Sequence, residues 1–142
     1  MTRLFSVLFL TSLLLMNLGA FQVFAQETDK EPGEVRISIY SVAPGKHLDF
    51  LKWMAEQESI DKEAGVPATQ WYAHRDGASW DYIAIGPVLT AEQEEKADGV
   101  ATQKGLPTGF KASIKFRTFI ASHTDTFARG PVSASQLVKA AE

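Results

Sequence analysis

The side chains of this 142-residue sequence with the widest chemical reach are three histidines and a scatter of carboxylates, because no cysteine is present. Two of them stand close together: His123 and Asp125 flank Thr124 in FIASHTDTFARGP, residues 119–131. On a strand, residues two apart face the same way, and an imidazole beside a carboxylate could then ligate a metal or work as an oriented acid and base. On a helix the same two lie about 200° apart and cannot act on one ligand. His123 would then be a last-turn residue favoured by the helix dipole, in a three-step row with Arg117 and Ile120. His74 is the other candidate, beside Arg75 and Asp76 and among Trp71, Tyr72, Trp80 and Tyr82. These aromatics suit core and interface packing. They equally suit a flat ligand stacked between sheet and helices, with His74 or Asp81 as a proton carrier near neutral pH. His47, at the start of a helix, reads as a surface residue.

Several chemistries are excluded. Without cysteine there is no thiol catalysis, no haem attached through thioethers and no Cys-ligated zinc. No phosphate-cradling glycine loop, GxSxG, HExxH or EF-hand loop occurs, so no metal site and no cofactor are expected. Haem held by one His as an axial ligand stays open in principle.

The first 25 residues set themselves apart: Arg3 is their one charge, an apolar run from Leu4 to Leu18 follows, and the segment ends at Ala25. A basic start, an apolar middle and small residues at the cut make a secretory signal, with Val23 and Ala25 at the minus-three and minus-one positions and cleavage before Gln26. Asn17, Gly19 and Gln22 interrupt the run, which falls short of the roughly 20 apolar residues of a membrane span. The expected location is therefore periplasmic or secreted. Removing 25 of 142 residues leaves 117, one domain's worth of core, and losing Arg3 takes the net charge from −3 to −4. An acidic chain of this kind is not a general nucleic-acid binder, and with no disulfide available its stability rests on packing.

Residues 26–34, QETDKEPGE, read as a disordered lead-in. In 35–42, Val35, Ile37 and Ile39 alternate with Arg36, Ser38 and Tyr40, the period of a strand with one face buried. His47 to about Ala64 forms an amphipathic helix, with Leu48, Leu51, Met54 and Ala55 recurring at three- and four-residue steps and Phe50 and Trp53 beside them; Gly65 and Pro67 stop it. Ala68–His74 and Ser79–Gly86 flank Asp76-Gly77, a hairpin signal. In the second strand Trp80, Tyr82, Ala84 and Gly86 share one face, and Asp81, Ile83 and Ile85 the other. Thr90 and Gln93 form a capping box for a second helix to about Gln103, followed by a loop over 104–109.

Phe110–Gly130 admits two readings. Ile114, Phe116, Thr118 and Ile120 alternate as in a strand, while Phe116, Phe119, Ile120, His123 and Phe127 share a helix face. Arg129, Gly130 and Pro131 form a helix-end signature, which favours helix. That choice separates His123 from Asp125. A short helix or tail, 132–142, ends the chain after a domain over 35–131.

The order strand, helix, strand, strand, helix, carried by Val35–Val42, Pro44-Gly45-Lys46, Phe50 and Trp71–Ile85, resembles the dimeric alpha/beta barrel superfamily. The resemblance implies an α+β, ferredoxin-like fold, with an antiparallel sheet of three or four strands, helices on one face, and a homodimer closed through the open sheet face. It assigns no catalytic residue, and a helix at Ile114–Ala121 would remove the best candidate for the fourth strand. The superfamily hosts oxygenases, haem-degrading enzymes, isomerases and proteins without known activity. The expected function is a dimeric module that binds a small apolar or aromatic ligand or serves interaction. The alternative is a cofactor-independent oxygenase or isomerase.

Overall fold

The computed structural model describes residues 32–142. The signal segment 1–25 and the lead-in to residue 31 lie outside the described residues. Eight elements follow in order: β1 Glu34–Val42, α1 His47–Ala64, β2 Gln70–Ala73, β3 Tyr82–Pro87, α2 Ala91–Gln103, α3 Gly109–Arg117, β4 Ile120–Arg129 and α4 Ala134–Ala141. The sheet runs β2-β3-β1-β4 with every neighbouring pair antiparallel. This is the ferredoxin-like α+β arrangement, with β1 at the centre and α3 as an additional turn before the last strand. Among the described residues no helix is long and apolar enough to cross a membrane.

The local signals of α1 and α2 act as their chemistry predicts. Thr90 accepts from the Gln93 N–H at 3.2 Å while the Gln93 side chain accepts from the Thr90 N–H at 3.0 Å, a closed capping box. Gly65 takes φ +80° after α1, and the Val66 N–H reaches back to the Asp61 carbonyl at 2.8 Å, a left-handed cap that costs a residue with a Cβ dearly. Lys104 then ties the end of α2 to Glu63 of α1 at 2.7 Å.

The side of α1 that is buried differs from the expectation. Phe50, Trp53, Ile60 and Ala64 face the core, while Leu48 and Leu51 are exposed. The buried positions step by three, seven and four, and partly buried Gln57 falls in the gap. Phe50, fully buried, stands over Tyr40, Tyr82 and Trp71 at ring separations of 5.2, 5.6 and 6.3 Å. The hairpin strands are also shorter than expected, because Trp80 and Asp81 lie in the connection and not in β3.

Phe110–Gly130 is not one helix. It holds the two-turn α3, a turn at Thr118-Phe119, and then the ten-residue strand β4. The balance is tipped by pairing: β4 meets β1 from Glu34↔Arg129 through Tyr40↔His123 to Val42↔Ile120, a ladder that no helix could supply. Gly130-Pro131 therefore ends a strand, with the Gly130 N–H donating to the Gly33 carbonyl at 3.0 Å.

The register divides the sheet into two faces. Beneath the helices lie Ser38, Tyr40 and Val42 of β1, Ala84 of β3 and Trp71 of β2. The opposite face carries Val35, Ile37 and Ile39 of β1, Ile83 and Ile85 of β3, Tyr72 of β2, and Thr124 and Thr126 of β4. No described element covers that second face, where Ile39 is 36% and Tyr72 50% exposed.

Candidate functional site

On β4 the strand period brings together what a helix would have parted. His123 and Asp125 project from the helix-covered face, and His123 Nε2 lies 3.6 Å from Asp125 Oδ2. That is beyond hydrogen-bond length and within ion-pair reach when the imidazole carries its proton. The neighbours come from elements far away in sequence. Register sets Tyr40 opposite His123 and Ser38 opposite Asp125. The Tyr40 and His123 rings stack at 6.3 Å with an 18° tilt, and Phe116 of α3 meets His123 edge-on at 5.1 Å.

Burial pushes the Tyr40 phenol pKa above its ordinary value; the Asp125 charge adds to the rise, while the hydrogen bond with Ser38 and the Arg36 charge oppose it. The hydroxyl is therefore a neutral donor across the neutral pH range. The arrangement is a half-exposed imidazole–carboxylate pair on an aromatic floor with one phenol beside it. Such a set can hold a polar planar molecule by stacking and hydrogen bonds, and it can carry a proton between imidazole and ligand.

The other candidates lie apart. The His74 ring packs on Trp80 at 4.8 Å in the β2–β3 connection, and its Nε2 is buried without a hydrogen-bond partner. Ala73, the residue before it, is three strands across the sheet from His123, about 14 Å at the usual strand spacing. Asp81 is occupied by the backbone: its Oδ2 accepts from the Val42 N–H at 2.6 Å, and its own N–H donates to the Tyr40 carbonyl at 2.8 Å. Trp71 and Tyr82 belong to the core, Trp71 also donating from Nε1 to Glu58 at 2.8 Å. Tyr72 points to the uncovered face, and Arg117 is exposed at the end of α3. His47 is exposed and edge-on to Tyr82 at 6.1 Å.

Tyr40, Ser38 and Phe116 are the residues that sequence reasoning missed around His123. The β1–β4 register brings in Tyr40 and Ser38, and the packing of α3 brings in Phe116. Among the described residues no three His, Asp or Glu side chains gather as a metal site. An open recess of about 420 Å³ lies elsewhere, between α1 and the α3–β4 turn, bordered by Lys46, Lys52, Trp53, Lys115 and Phe119.

No family model matches the chain, and no curated protein matches it. Solved structures do. A mutant of SnoaB, a cofactor-independent oxygenase from Streptomyces nogalater, is similar at 12% identity over 71% of this chain and 95% of its own, with a TM-score of 0.50. A NIPSNAP family protein from Agrobacterium tumefaciens shares 18% identity over 71% of this chain and 94% of its own, at a TM-score of 0.47. A dimeric ferredoxin-like protein from an uncultured marine organism shares 12% over 75% and 94%, at 0.46. The likeness is one of fold: the chain shares a ferredoxin-like α+β fold with these structures, and no subgroup is singled out.

Proposed function

We propose that this chain is an exported, homodimeric binding module, two copies of which pair through the uncovered sheet face and each of which offers the His123–Asp125 pair to a small planar ligand. The observation that carries the reading is the apolar band of Val35, Ile37, Ile39, Ile83 and Ile85 on a face with no helix over it. A sheet with helices on one side and such a band on the other needs a second layer. A second copy supplies one, because a two-fold pairing sets the same patch against itself. Export rests on the N-terminal segment, with its single charge and apolar run. The test is sedimentation velocity of the wild type and Ile37→Asp, with circular dichroism as the control for folding. A dimer that becomes a folded monomer in the variant supports the pairing. A wild type that sediments as a monomer across micromolar concentrations defeats it.

A second reading, an oxygenase or isomerase that needs no cofactor, is favoured by one observation: the imidazole–carboxylate pair sits beside a buried phenol. SnoaB, described as a cofactor-independent oxygenase, lends it a shared fold alone. Against it, His74 and Asp81 do not join the pair. A thermal-shift screen of planar phenols and quinones, followed by oxygen uptake with any binder, separates the readings. Binding lost in His123→Ala without turnover in the wild type fits the module. Turnover that disappears in His123→Ala and Asp125→Asn fits the enzyme.

A further inference from the structure

We propose that α4 is a clasp: in the dimer it docks on the second copy, and the sheet-to-sheet interface is incomplete without it. The inference deepens the homodimer reading and rests on it. α4 is properly started, for Ser133 accepts from the Gln136 N–H at 3.2 Å while the Gln136 side chain accepts from the Ser133 N–H at 2.7 Å. Its apolar residues Ala134, Leu137, Val138 and Ala141 fall at steps of three, one and three, a single stripe. Yet Leu137 and Val138 are each 58% exposed, and no residue of the helix is buried against the described residues. An eight-residue helix does not hold in water on propensity alone, so its stripe has to be covered.

Two features of the fold make the second copy the cover. The first is reach. β4 is an edge strand, so α4 leaves from the rim of the sheet. Its linker, Gly130–Ser133, can span about 14 Å, more than the roughly 10 Å between two sheets packed face to face. The second is area. Four strands about 4.8 Å apart and a ladder of about six residues at roughly 3.3 Å each give a footprint near 400 Å² per copy. Side-chain relief makes accessible area larger than a flat footprint, so about 800 Å² of projected area for the pair lies toward the lower end of the 1,200–2,000 Å² of accessible surface in a specific, stable interface. Two reciprocal α4 stripes extend it.

The absence of cysteine in the chain makes the test clean. Leu137→Cys, labelled with a benzophenone maleimide, is prepared in isotopically light and heavy forms from protein processed by its own host. The two are mixed, allowed to exchange subunits and irradiated. Light-to-heavy cross-linked peptides are the expected result. Once native mass spectrometry shows mixed light–heavy dimers, cross-links confined to one isotope overturn the proposal by showing α4 folded on its own chain, and so does a protein that cross-links only when pelleted with phosphatidylglycerol vesicles. The dimer dissociation constant gives a readout free of the label. A chain ending at Gly130 should remain folded and dissociate about a hundredfold more readily, since the whole apolar stripe loses its burial, and Val138→Asp should remain folded and weaken the dimer by a smaller factor. A wild-type dimer that keeps its dissociation constant in both variants overturns the clasp while leaving the sheet pairing standing. A monomeric wild type defeats both.

Discussion

Asp81 is the residue for which structure and sequence assign different work, and replacing it decides between them. The β1–β3 pairing ends at Tyr40↔Tyr82. One step further, Asp81 prolongs it by donating its N–H to the Tyr40 carbonyl and accepting the Val42 N–H on its carboxylate at 2.6 Å. Val42 is buried, so Asp81→Ala leaves its N–H without a partner away from water. An orphaned buried donor costs about 1–3 kcal/mol, and a hydrogen bond to a charged group lies toward the upper part of that range. The Ala variant should therefore lose about 2 kcal/mol. Asp81→Asn keeps an oxygen in place without the charge and should lose about half as much. Urea unfolding at pH 7 reads both, and for a domain of this size the Ala variant should melt roughly 6–12 °C lower. Any ligand affinity at the His123–Asp125 pair should survive in both variants. An Ala variant as stable as the wild type would refute the structural role. Asn as costly as Ala would trace the effect to charge and not to the bond at Val42.

Phe50→Ala removes the one large side chain with no exposure among the described residues, and urea unfolding should show a loss of about 3–5 kcal/mol. A Cβ at Gly86 would lie 2.7 Å from Thr69 Oγ1. Gly86→Ala should thus cost about 1–3 kcal/mol, and Thr69→Ala in the same chain should recover most of it in a double-mutant cycle. Burial raises the Asp61 pKa, with Arg36 opposing and Glu58 assisting the rise. The folded state then holds its proton more tightly than the unfolded chain, so stability increases as pH falls through the raised value toward 3.8; Asp61→Asn should be more stable than wild type at pH 7 and lose that acid-side gain. Tyr40 obeys the same sign at the other end of the scale. Its contribution is intact below pH 10 and is lost as pH rises through its raised value, a trend that Tyr40→Phe should abolish in unfolding midpoints taken from pH 9 upward.

What could be read from the sequence was what short-range chemistry decides. The capping box at Thr90, the glycine stop at Gly65 and the span of α1 are each fixed by a few neighbouring residues, and they fold as those residues dictate. The face of α1 was harder, because its buried stripe runs through Gln57 while exposed Leu48 and Leu51 imitate a second stripe. At 110–130 local information conflicts. Phe116, Phe119, Ile120 and His123 fit a helix face, Gly130-Pro131 stops either kind of element, and the choice of strand rests on a partner 78 (Val42↔Ile120) to 95 (Glu34↔Arg129) residues away. The site follows the same division. The His123–Asp125 spacing is visible in the sequence, but Tyr40, Ser38 and Phe116 join it only through sheet register and the packing of α3.

The alternation of Val35, Ile37 and Ile39 has the period of a half-buried strand, yet the half that α1 and its neighbours bury is Ser38, Tyr40 and Val42. A central strand apolar on both sides belongs between two layers, and the described residues supply one of them. Around this band Thr124, Thr126 and Gln70 form a polar margin, the distribution expected of an interface core and its rim. The missing layer then leaves a thermodynamic mark. If folding and pairing are one transition, the native state gains stability by mass action, about 1.4 kcal/mol for each tenfold rise in protein concentration. The melting temperature should climb by several degrees between 1 and 100 µM. In Ile37→Asp the same scan should be flat, because a monomer has no concentration term. A wild-type melting temperature that ignores concentration, in a protein shown to unfold reversibly, would mean that the apolar band is borne by the monomer alone.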